Sequence, residues 1–277
     1  EGGERAENID CLICHEQSGT YKKKQDCKGL PESGLDLNSI AQSVSRPSRK
    51  NCGTCHFNEG GFPNTKHGDL SPALIDPSSD HDVHMGMANM RCQDCHRTKQ
   101  HKISGLSFLA PAEEGETHCF QCHGKHPHDI TGAIGRHLND HVDAVACETC
   151  HIPFYAKEYP TLMKTDFSKA GKDLDTGETQ FGKPTFQKKR GALTWGKNVI
   201  PVYRWFNGNR FTTLFGDKIE TDSPVHLNPP LGKKHVPEAK IYPFKQHVAI
   251  QPYDRDNKYL VAVKFTGGFW DHFDWNK

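Results

Sequence analysis

The sequence predicts a fold of short helices and long irregular loops whose core is not made by its own side chains. Three observations lead to this fold class. Only 34% of the 277 residues are hydrophobic, which is lean for a globular protein of this size. One pentapeptide of the form C-x-x-C-H occurs five times, and the chain contains eighteen histidines. We therefore expect the core to come from bound groups that cysteine and histidine hold.

The five pentapeptides all lie within residues 1–151. C-x-x-C-H is the attachment signature of c-type haem, because two thiols bond to the two vinyl groups of one porphyrin and the next imidazole becomes the proximal iron ligand. The predicted haem-binding thiols are Cys11, Cys14, Cys52, Cys55, Cys92, Cys95, Cys119, Cys122, Cys147 and Cys150. The predicted proximal ligands are His15, His56, His96, His123 and His151. The fold class is thus a multihaem cytochrome c, cored by five covalent haems.

Zinc binding and disulfide bonding are the alternatives for these cysteines. Zinc ribbons use C-x-x-C in pairs to close a tetrahedral site, whereas this sequence has an odd number of copies, five. Zinc binding also does not require the histidine that follows the second cysteine of every copy. A disulfide framework needs no histidine at all. Cys27 is the one cysteine outside the motifs, and there a reduced thiol is favoured over an intermolecular bridge.

A six-coordinate haem needs a second axial ligand. Four methionines are too few to supply it generally, so histidine at both axial positions is expected, and this ligation gives lower reduction potentials than methionine with histidine. The candidates are histidines in the connections between motifs, each with a surface or structural role as its alternative. The predicted distal ligands are His67, His84, His101, His128 and His141.

The chain is predicted to divide by haem content. Residues 1–151 form the five-haem region, and residues 152–277 form a region without cysteine that packs on the haems. Between the motifs the sequence is rich in glycine, proline, serine and aspartate, which favours irregular connections over strands. The spacing between motifs is uneven, so a solenoid of repeats is not predicted.

Three local patterns predict regular elements. Apolar residues at helical spacing predict a short helix within 35–44, with Asp36 as its N-cap. Residues 199–214 read as a β-hairpin around Asn207-Gly208, because Asn-Gly is the strongest short turn signal. Residues 259–265 predict a further strand. The C-terminal part is therefore expected to be small and to contain a β-hairpin.

Charge and hydropathy limit the classes of partner. The formal net charge of +1 gives no electrostatic reason for binding nucleic acid or an anionic membrane. No apolar stretch approaches the roughly 18 residues of a transmembrane helix. Haem c is attached outside the cytoplasm, so a periplasmic or extracellular location is predicted. Residues 1–5 lack the apolar run of a signal peptide, and we expect a leader to have been removed.

Motifs longer than C-x-x-C-H run through the chain. They are N-I-D-C-L-I-C-H at 8–15 with G-T-Y-K-K at 19–23, N-C-G-T-C-H-F at 51–57 with K-H-G-D-L at 66–70, D-V-H-M-G at 82–86, L-N-D-H at 138–141, C-E-T-C-H-I-P at 147–153, S-K-A-G at 168–171, W-F-N-G at 205–208, Y-P-F-K at 242–245, Q-P-Y-D at 251–254 and F-D-W at 273–275. In these motifs the sequence resembles the octahaem tetrathionate reductase-like cytochromes over nearly its whole length. The resemblance implies a multihaem c-type cytochrome that transfers electrons.

The sequence also departs from that family. The resemblance implies eight haems, and this sequence contains five motifs. The family's reactive haem carries a lysine in place of a distal histidine. Residues 22–24 match the region of that lysine, but the motif of its haem is not in this sequence.

Two functions remain open from the residues. The favoured one is an electron-transfer protein that serves redox partner cytochromes or extracellular acceptors, with a homo-oligomer or filament as one form of the conduit. The alternative is a reductase of small sulfur or nitrogen oxyanions (tetrathionate, nitrite or hydroxylamine) at one haem with an open axial site and cationic groups nearby. No nucleophile or acid–base constellation is evident, so no catalytic residue is predicted and the enzyme class stays open.

Overall fold

The computed structural model describes residues 10–24, 29–59, 61–66, 68–105 and 118–277. The predicted distal ligand His67 and the odd thiol Cys27 lie outside these residues. The chain divides into two compact units, one within Glu1–Thr65 and Leu70–His118, the other made of Lys66–Asp69 and Cys119–Lys277. This division rests on contacts, whereas the predicted boundary after residue 151 rests on haem content and stays a prediction.

The first unit consists of short helical segments joined by irregular chain. Its helices are α1 (Cys11–His15), α2 (Leu37–Gln42), α3 (Arg49–His56) and α4 (Cys92–Cys95), with a 3-10 turn at Pro72–Ile75 and a π-helical turn at Val83–Met87. Two short antiparallel strands follow, β1 (Thr98–Lys99) and β2 (Lys102–Ile103). Three of the five pentapeptides lie in this unit.

The helix predicted within residues 35–44 is confirmed as α2. The Asp36 side chain accepts a hydrogen bond from the Ser39 amide at 3.1 Å, which satisfies one N–H that the first helical turn leaves without a partner. Ile40 points inward and is only 2% exposed. The cap and the apolar face could both be predicted from the sequence, because each depends on residues that are close in sequence.

The second unit adds sheets to its helices. The helices are α5 (Phe120–His123), α6 (Ala133–His141), α7 (Cys147–His151) and α8 (Trp270–His272), with a 3-10 turn at Phe167–Lys169 and a π-helical turn at Phe265–Phe269. The strands are β3 (Thr161–Asp166), β4 (Phe186–Gln187), β5 (Gly191–Gly196), β6 (Val202–Phe206), β7 (Lys240–Phe244), β8 (Val248–Ile250), β9 (Tyr253–Asp254) and β10 (Tyr259–Leu260). One sheet has the order β4-β5-β3-β8, and β6-β7 and β9-β10 form two-stranded sheets. The strand β8 runs parallel to β3, and the other pairs in this unit are antiparallel.

The side-chain core of the second unit lies on the four-stranded sheet. In β5, Leu193 and Trp195 are 5% and 7% exposed, and Thr194 between them is exposed, as the two-residue period of a strand requires. The Trp195 indole N–H donates to the Pro184 carbonyl at 2.9 Å, so its polar atom is satisfied. Phe269 packs against Trp275 with a ring separation of 4.0 Å. This core is made of the chain's own side chains.

The β-hairpin predicted at residues 199–214 is wrong. The strand β6 pairs with β7, so that Val202 lies opposite Phe244 and Phe206 lies opposite Lys240. The ring of Phe206 contacts those of Tyr242 and Phe244 at 5.5 and 5.3 Å. These aromatic contacts favour the distant strand, and a local turn signal does not report on them. The predicted second strand at residues 210–214 forms only a single bridge, from Arg210 to Pro230.

The strand predicted at residues 259–265 is present only in part. Tyr259–Leu260 pairs with Tyr253–Asp254, and Phe265 already belongs to the π-helical turn. Hairpins do form between β4 and β5 and between β9 and β10. The predicted fold class is therefore confirmed in its short helices, irregular connections and small C-terminal hairpins. Among the helices of the described residues, none is both long enough and apolar enough to cross a bilayer.

Candidate haem-binding sites

Each pentapeptide folds as a helical turn. These turns are α1, the second half of α3, α4 with His96 as its C-cap, α5 with Cys119 as its N-cap, and α7. Residues three apart on a helix are neighbours, with Cβ atoms about 5–6 Å apart, so both thiols of a motif face the same side. All ten motif cysteines are exposed or half-buried. This arrangement fits two thioether bonds to one porphyrin.

Hydrogen bonds orient the proximal imidazoles. His15 Nδ1 lies 3.0 Å from the Ser45 carbonyl, and His96 Nδ1 lies 2.9 Å from the Ser104 carbonyl. A carbonyl oxygen only accepts, so each Nδ1 carries the proton and Nε2 keeps the lone pair that binds a metal. His56 Nδ1 instead contacts the Glu59 carboxylate at 2.9 Å.

Large apolar side chains beside the motifs are exposed. Met87 is 71% exposed and Ile134 is 79% exposed, and Phe120, Ile152 and Phe154 are also open on the same segments as the motifs. A porphyrin is a broad apolar plate, and covering it would remove such side chains from water. The thiols, the imidazoles and these side chains together fit bound haem.

Two predicted distal histidines lie opposite proximal ones. The His101 ring centre is 6.3 Å from that of His15, with the planes at 74°. The His128 ring centre is 6.4 Å from that of His151, with the planes at 11°. His141, at the end of α6, contacts His137 with ring centres 4.4 Å apart. His84 lies in the π-helical turn Val83–Met87. The distal roles of all five stay predictions.

Asn139 is a residue that the sequence did not reveal as part of a site. It is 7% exposed on α6, and its side-chain oxygen lies 3.0 Å from His128 Nδ1 and 3.1 Å from the His128 amide nitrogen. Its amide nitrogen donates to the His128 carbonyl at 3.0 Å. Only the motif L-N-D-H pointed to it, and nothing in that motif names its partner eleven residues earlier.

Arg49 is a second residue that the sequence did not assign. Its guanidinium donates to the carbonyls of Ile75, Met85 and Met90 at 3.2, 2.8 and 2.6 Å. It thereby ties α3 to the segment that carries His84. Its acceptors are main-chain carbonyls, which every residue type has, so no sequence pattern predicts these contacts.

Thiols from different motifs meet within each unit. In the first unit, the interaction of Cys52 with Cys92 raises the pKa of Cys52 and lowers the pKa of Cys92 to about 6. In the second unit, burial raises the pKa of Cys119 to about 11, and the Glu148 carboxylate and the Cys147 thiol beside it act in the same direction. The sequence placed these motifs apart, and the fold places their thiols side by side.

Two family models match adjoining parts of the chain. Residues 77–152 match the model described as cytochrome c7 and related cytochrome c. Residues 162–277 match the model described as bacterial cytochrome c. The first match spans the third, fourth and fifth pentapeptides, and the second spans the region without cysteine.

Two relatives are similar over longer stretches. The chain is 32% identical over 133 residues to an uncharacterized protein of Archaeoglobus fulgidus, covering 42% of this chain and 44% of that protein. It is 42% identical to the octaheme cytochrome c from Shewanella oneidensis, whose crystal structure matches with a TM-score of 0.85. That match covers 97% of this chain and 60% of the other. The chain thus spans less than two thirds of the length of either relative.

Proposed function

Because this chain belongs to the octahaem-type multihaem c-type cytochromes, we propose that it carries electrons through five closely spaced haems with histidine at both axial positions. The contact between thiols of different motifs carries the proposal. Each motif thiol is the atom through which a porphyrin edge joins the chain. Where two such sulfur atoms lie near each other, the porphyrin edges that they would hold would also lie near each other, which would suit electron transfer between the haems.

The thiol contacts define two short arrays. In the first unit, Cys92 lies near enough to Cys52 to raise the Cys52 pKa, and Cys55 lies near enough to Cys14 to add to the effect of burial, which is the larger cause of the raised Cys14 pKa. The second motif is therefore central, between the first and the third. In the second unit, Cys147 lies near enough to Cys119 to help raise the Cys119 pKa, so the haems of the fourth and fifth motifs would form a pair. Arrays of this kind suit a protein that receives and passes on electrons.

The haem irons supply the one-electron chemistry, and the chain sets their environment. The carbonyls of Ser45 and Ser104 and the carboxylate of Glu59 each hold a proximal Nδ1 proton. These acceptors fix the ring orientation and tune how strongly each imidazole donates to iron. Different acceptors at different haems give the array a spread of potentials.

An oxyanion reductase is the alternative, and contacts in the first unit weigh against it. Two basic side chains of the first unit are held in ion pairs, since Lys23 pairs with Asp10 at 2.8 Å and Arg46 pairs with Asp94 at 2.8 Å. The guanidinium of Arg49 is directed at carbonyls. Side chains held in this way are less suited to receive a substrate anion.

Optical and electron paramagnetic resonance (EPR) spectra of the ferric holoprotein, with and without cyanide, distinguish the two functions. We expect low-spin iron throughout and no change on adding cyanide, because two histidines occupy each iron. A high-spin component that shifts with cyanide, together with turnover of tetrathionate, nitrite or hydroxylamine under a strong reductant, would contradict the conduit. The mass of the intact holoprotein tests the number of haems, and we expect the polypeptide plus five.

We place the protein in the periplasm or outside the cell, where it would exchange electrons with partner cytochromes or extracellular acceptors. A homopolymer would need a histidine or a haem edge at each contact surface. His247 is poorly suited to ligate a haem of a neighbouring subunit, since its Nδ1 donates to the Leu162 carbonyl at 3.1 Å and its Nε2 contacts the Thr165 hydroxyl at 3.4 Å. Light scattering and electron microscopy at rising concentration test the homopolymer, and small monodisperse particles at every concentration would contradict it.

A further inference from the structure

We propose that two of the haems have assigned axial pairs with different ligand fields. His15 and His101 would hold the haem of the first motif with crossed imidazole planes. His151 and His128 would hold the haem of the fifth motif with nearly parallel planes, and Asn139 would position His128. This assignment rests on the proposed function, because it takes the haems to be bound with histidine on both sides.

The separation of the rings carries the pairing. An imidazole nitrogen lies about 2 Å from the metal it binds and about 1.2 Å from its own ring centre, so two rings on opposite sides of one iron have centres about 6.4 Å apart. The observed separations are 6.3 Å for His15 and His101 and 6.4 Å for His128 and His151. By contrast, His137 and His141 are 4.4 Å apart, too close to hold an iron between them.

Protonation of the rings agrees with the pairing. His15 Nδ1 donates to the Ser45 carbonyl, which leaves Nε2 for iron. The orientation of the Asn139 amide is fixed by the main chain of His128, because the His128 amide N–H needs an acceptor and the His128 carbonyl needs a donor. The oxygen of Asn139 therefore faces His128 Nδ1, which must donate. His128 Nε2 is left for iron as well.

The two pairs differ in the angle between their planes. An imidazole donates into the iron d orbital perpendicular to its own plane. Nearly parallel planes, at 11°, act on one orbital and separate it from its partner, which gives a rhombic low-spin signal. Crossed planes, at 74°, act on both orbitals and leave them close in energy, which gives a strongly anisotropic signal with a large maximal g value. The ferric protein should therefore show both classes.

EPR of the ferric holoprotein tests the pairing with the substitutions His101→Met and His128→Met. Methionine keeps the iron six-coordinate, and the thioether bonds retain the haem. We expect the spectrum of His101→Met to lose intensity in the strongly anisotropic signal only. We expect the spectrum of His128→Met to lose intensity in the rhombic signal only. Each variant should gain the weak red absorption band of methionine-ligated ferric haem. The exposed His226→Ala serves as the control and should change neither signal.

The outcomes separate this assignment from the proposed function. A wild-type spectrum dominated by high-spin iron would overturn the proposed function. A low-spin wild-type spectrum in which either methionine variant leaves both signals intact, or removes the wrong one, would overturn the assignment and leave the function standing.

Asn139 is tested as a positioning residue. Asn139→Leu removes the acceptor, so we expect the rhombic signal to change its g values and the potential of that haem to rise. Asn139→Asp restores an acceptor with negative charge, so the signal should return towards the wild type and the potential should fall. If both variants shift the potential in the same direction, Asn139 has only a structural role and this part of the proposal fails.

Discussion

At the scale of single residues, the haem sites differ in the atom that accepts the proximal Nδ1 proton. Two acceptors are main-chain carbonyls, at Ser45 and Ser104, and one is the carboxylate of Glu59. A carboxylate accepts a stronger hydrogen bond than a neutral carbonyl and gives its imidazole more negative character. The haem of the second motif should therefore be harder to reduce than the haems of the first and third.

Glu59→Gln tests this difference. The amide keeps an acceptor of nearly the same shape but removes the charge, so we expect the potential of the haem bound by His56 to rise while the other four stay in place. A redox titration followed by EPR and visible absorption measures the shift. The exposed Glu238→Gln, in the second unit, is the matched control. Equal potentials for the wild type and Glu59→Gln would refute the role of the carboxylate.

Lys245 predicts a pH dependence of stability. Burial lowers its pKa to about 8, and its ammonium donates to the Thr161 hydroxyl and the Lys66 carbonyl. The unfolded chain keeps a lysine pKa of about 10.4. Between these values the unfolded state binds more protons than the folded one, so stability should rise with pH from about 8 to about 10.4.

Lys245→Met should flatten this rise. Thermal unfolding at a series of pH values measures it, with the exposed Lys234→Met as control. A rise of the same slope in Lys245→Met and in the wild type would show that another group is responsible.

The sequence predicts the proximal ligands and the thiols, because one short motif specifies a whole attachment chemistry, and these roles stay predictions. Their acceptors could not be predicted. Ser45 lies 30 residues from His15, and it contributes a carbonyl that every residue type has. The role of Asn139 could not be predicted for a similar reason, since its three hydrogen bonds all go to one residue in a preceding loop.

At the scale of elements, the sequence predicted an element correctly where the residues that determine it lie close together in the chain. The helix α2 depends on a cap and an apolar face within a few residues, and it forms as predicted. The Asn-Gly turn after β6 is equally local, but the strand partner is chosen by aromatic contacts with Tyr242 and Phe244. Local turn chemistry therefore specified the bend and not the pairing.

The π-helical turn Val83–Met87 depends on Arg49. The guanidinium holds the carbonyls of Met85 and Met90, which both follow His84, and a lysine has neither the planar shape nor the number of donors to replace it. We expect Arg49→Lys to lower the free energy of unfolding of the first unit by about 2–4 kcal/mol, the loss of several charge-assisted hydrogen bonds. Chemical denaturation followed by circular dichroism measures it.

Arg46→Lys is the matched control for Arg49→Lys. Arg46 also lies in the first unit and makes an ion pair with Asp94 at the surface, where such pairs contribute about 0–1 kcal/mol. Equal losses in the two variants would mean that the carbonyl contacts of Arg49 contribute little.

At the scale of the whole molecule, the two units differ in how much core their side chains provide. Among the described residues, the buried hydrophobic side chains of the first unit are Ile40, Phe57 and Leu74. The second unit has nine, most of them on the four-stranded sheet and the segments packed against it. The first unit therefore depends on haem more strongly than the second.

Removing the haems should destabilise the first unit more than the second. In a full-length chain with all ten motif cysteines changed to alanine, we expect the first unit to be unfolded and the sheet of the second unit to keep part of its protection. Hydrogen exchange with mass spectrometry measures both in one sample. Equal protection in the two units, whether high or low, would contradict the difference.

The segment Lys66–Asp69 belongs to the second unit although the first unit flanks it on both sides in the sequence. The Asp69 carboxylate accepts from the amides of Ala156 and Lys157 at 3.0 and 2.9 Å, and Lys245 donates to the Lys66 carbonyl at 3.4 Å. A chain that emerges from its N-terminus therefore exposes this segment long before its partners exist. The segment therefore cannot complete its contacts until residue 245 has emerged, which makes its docking a late event in the synthesis of the chain.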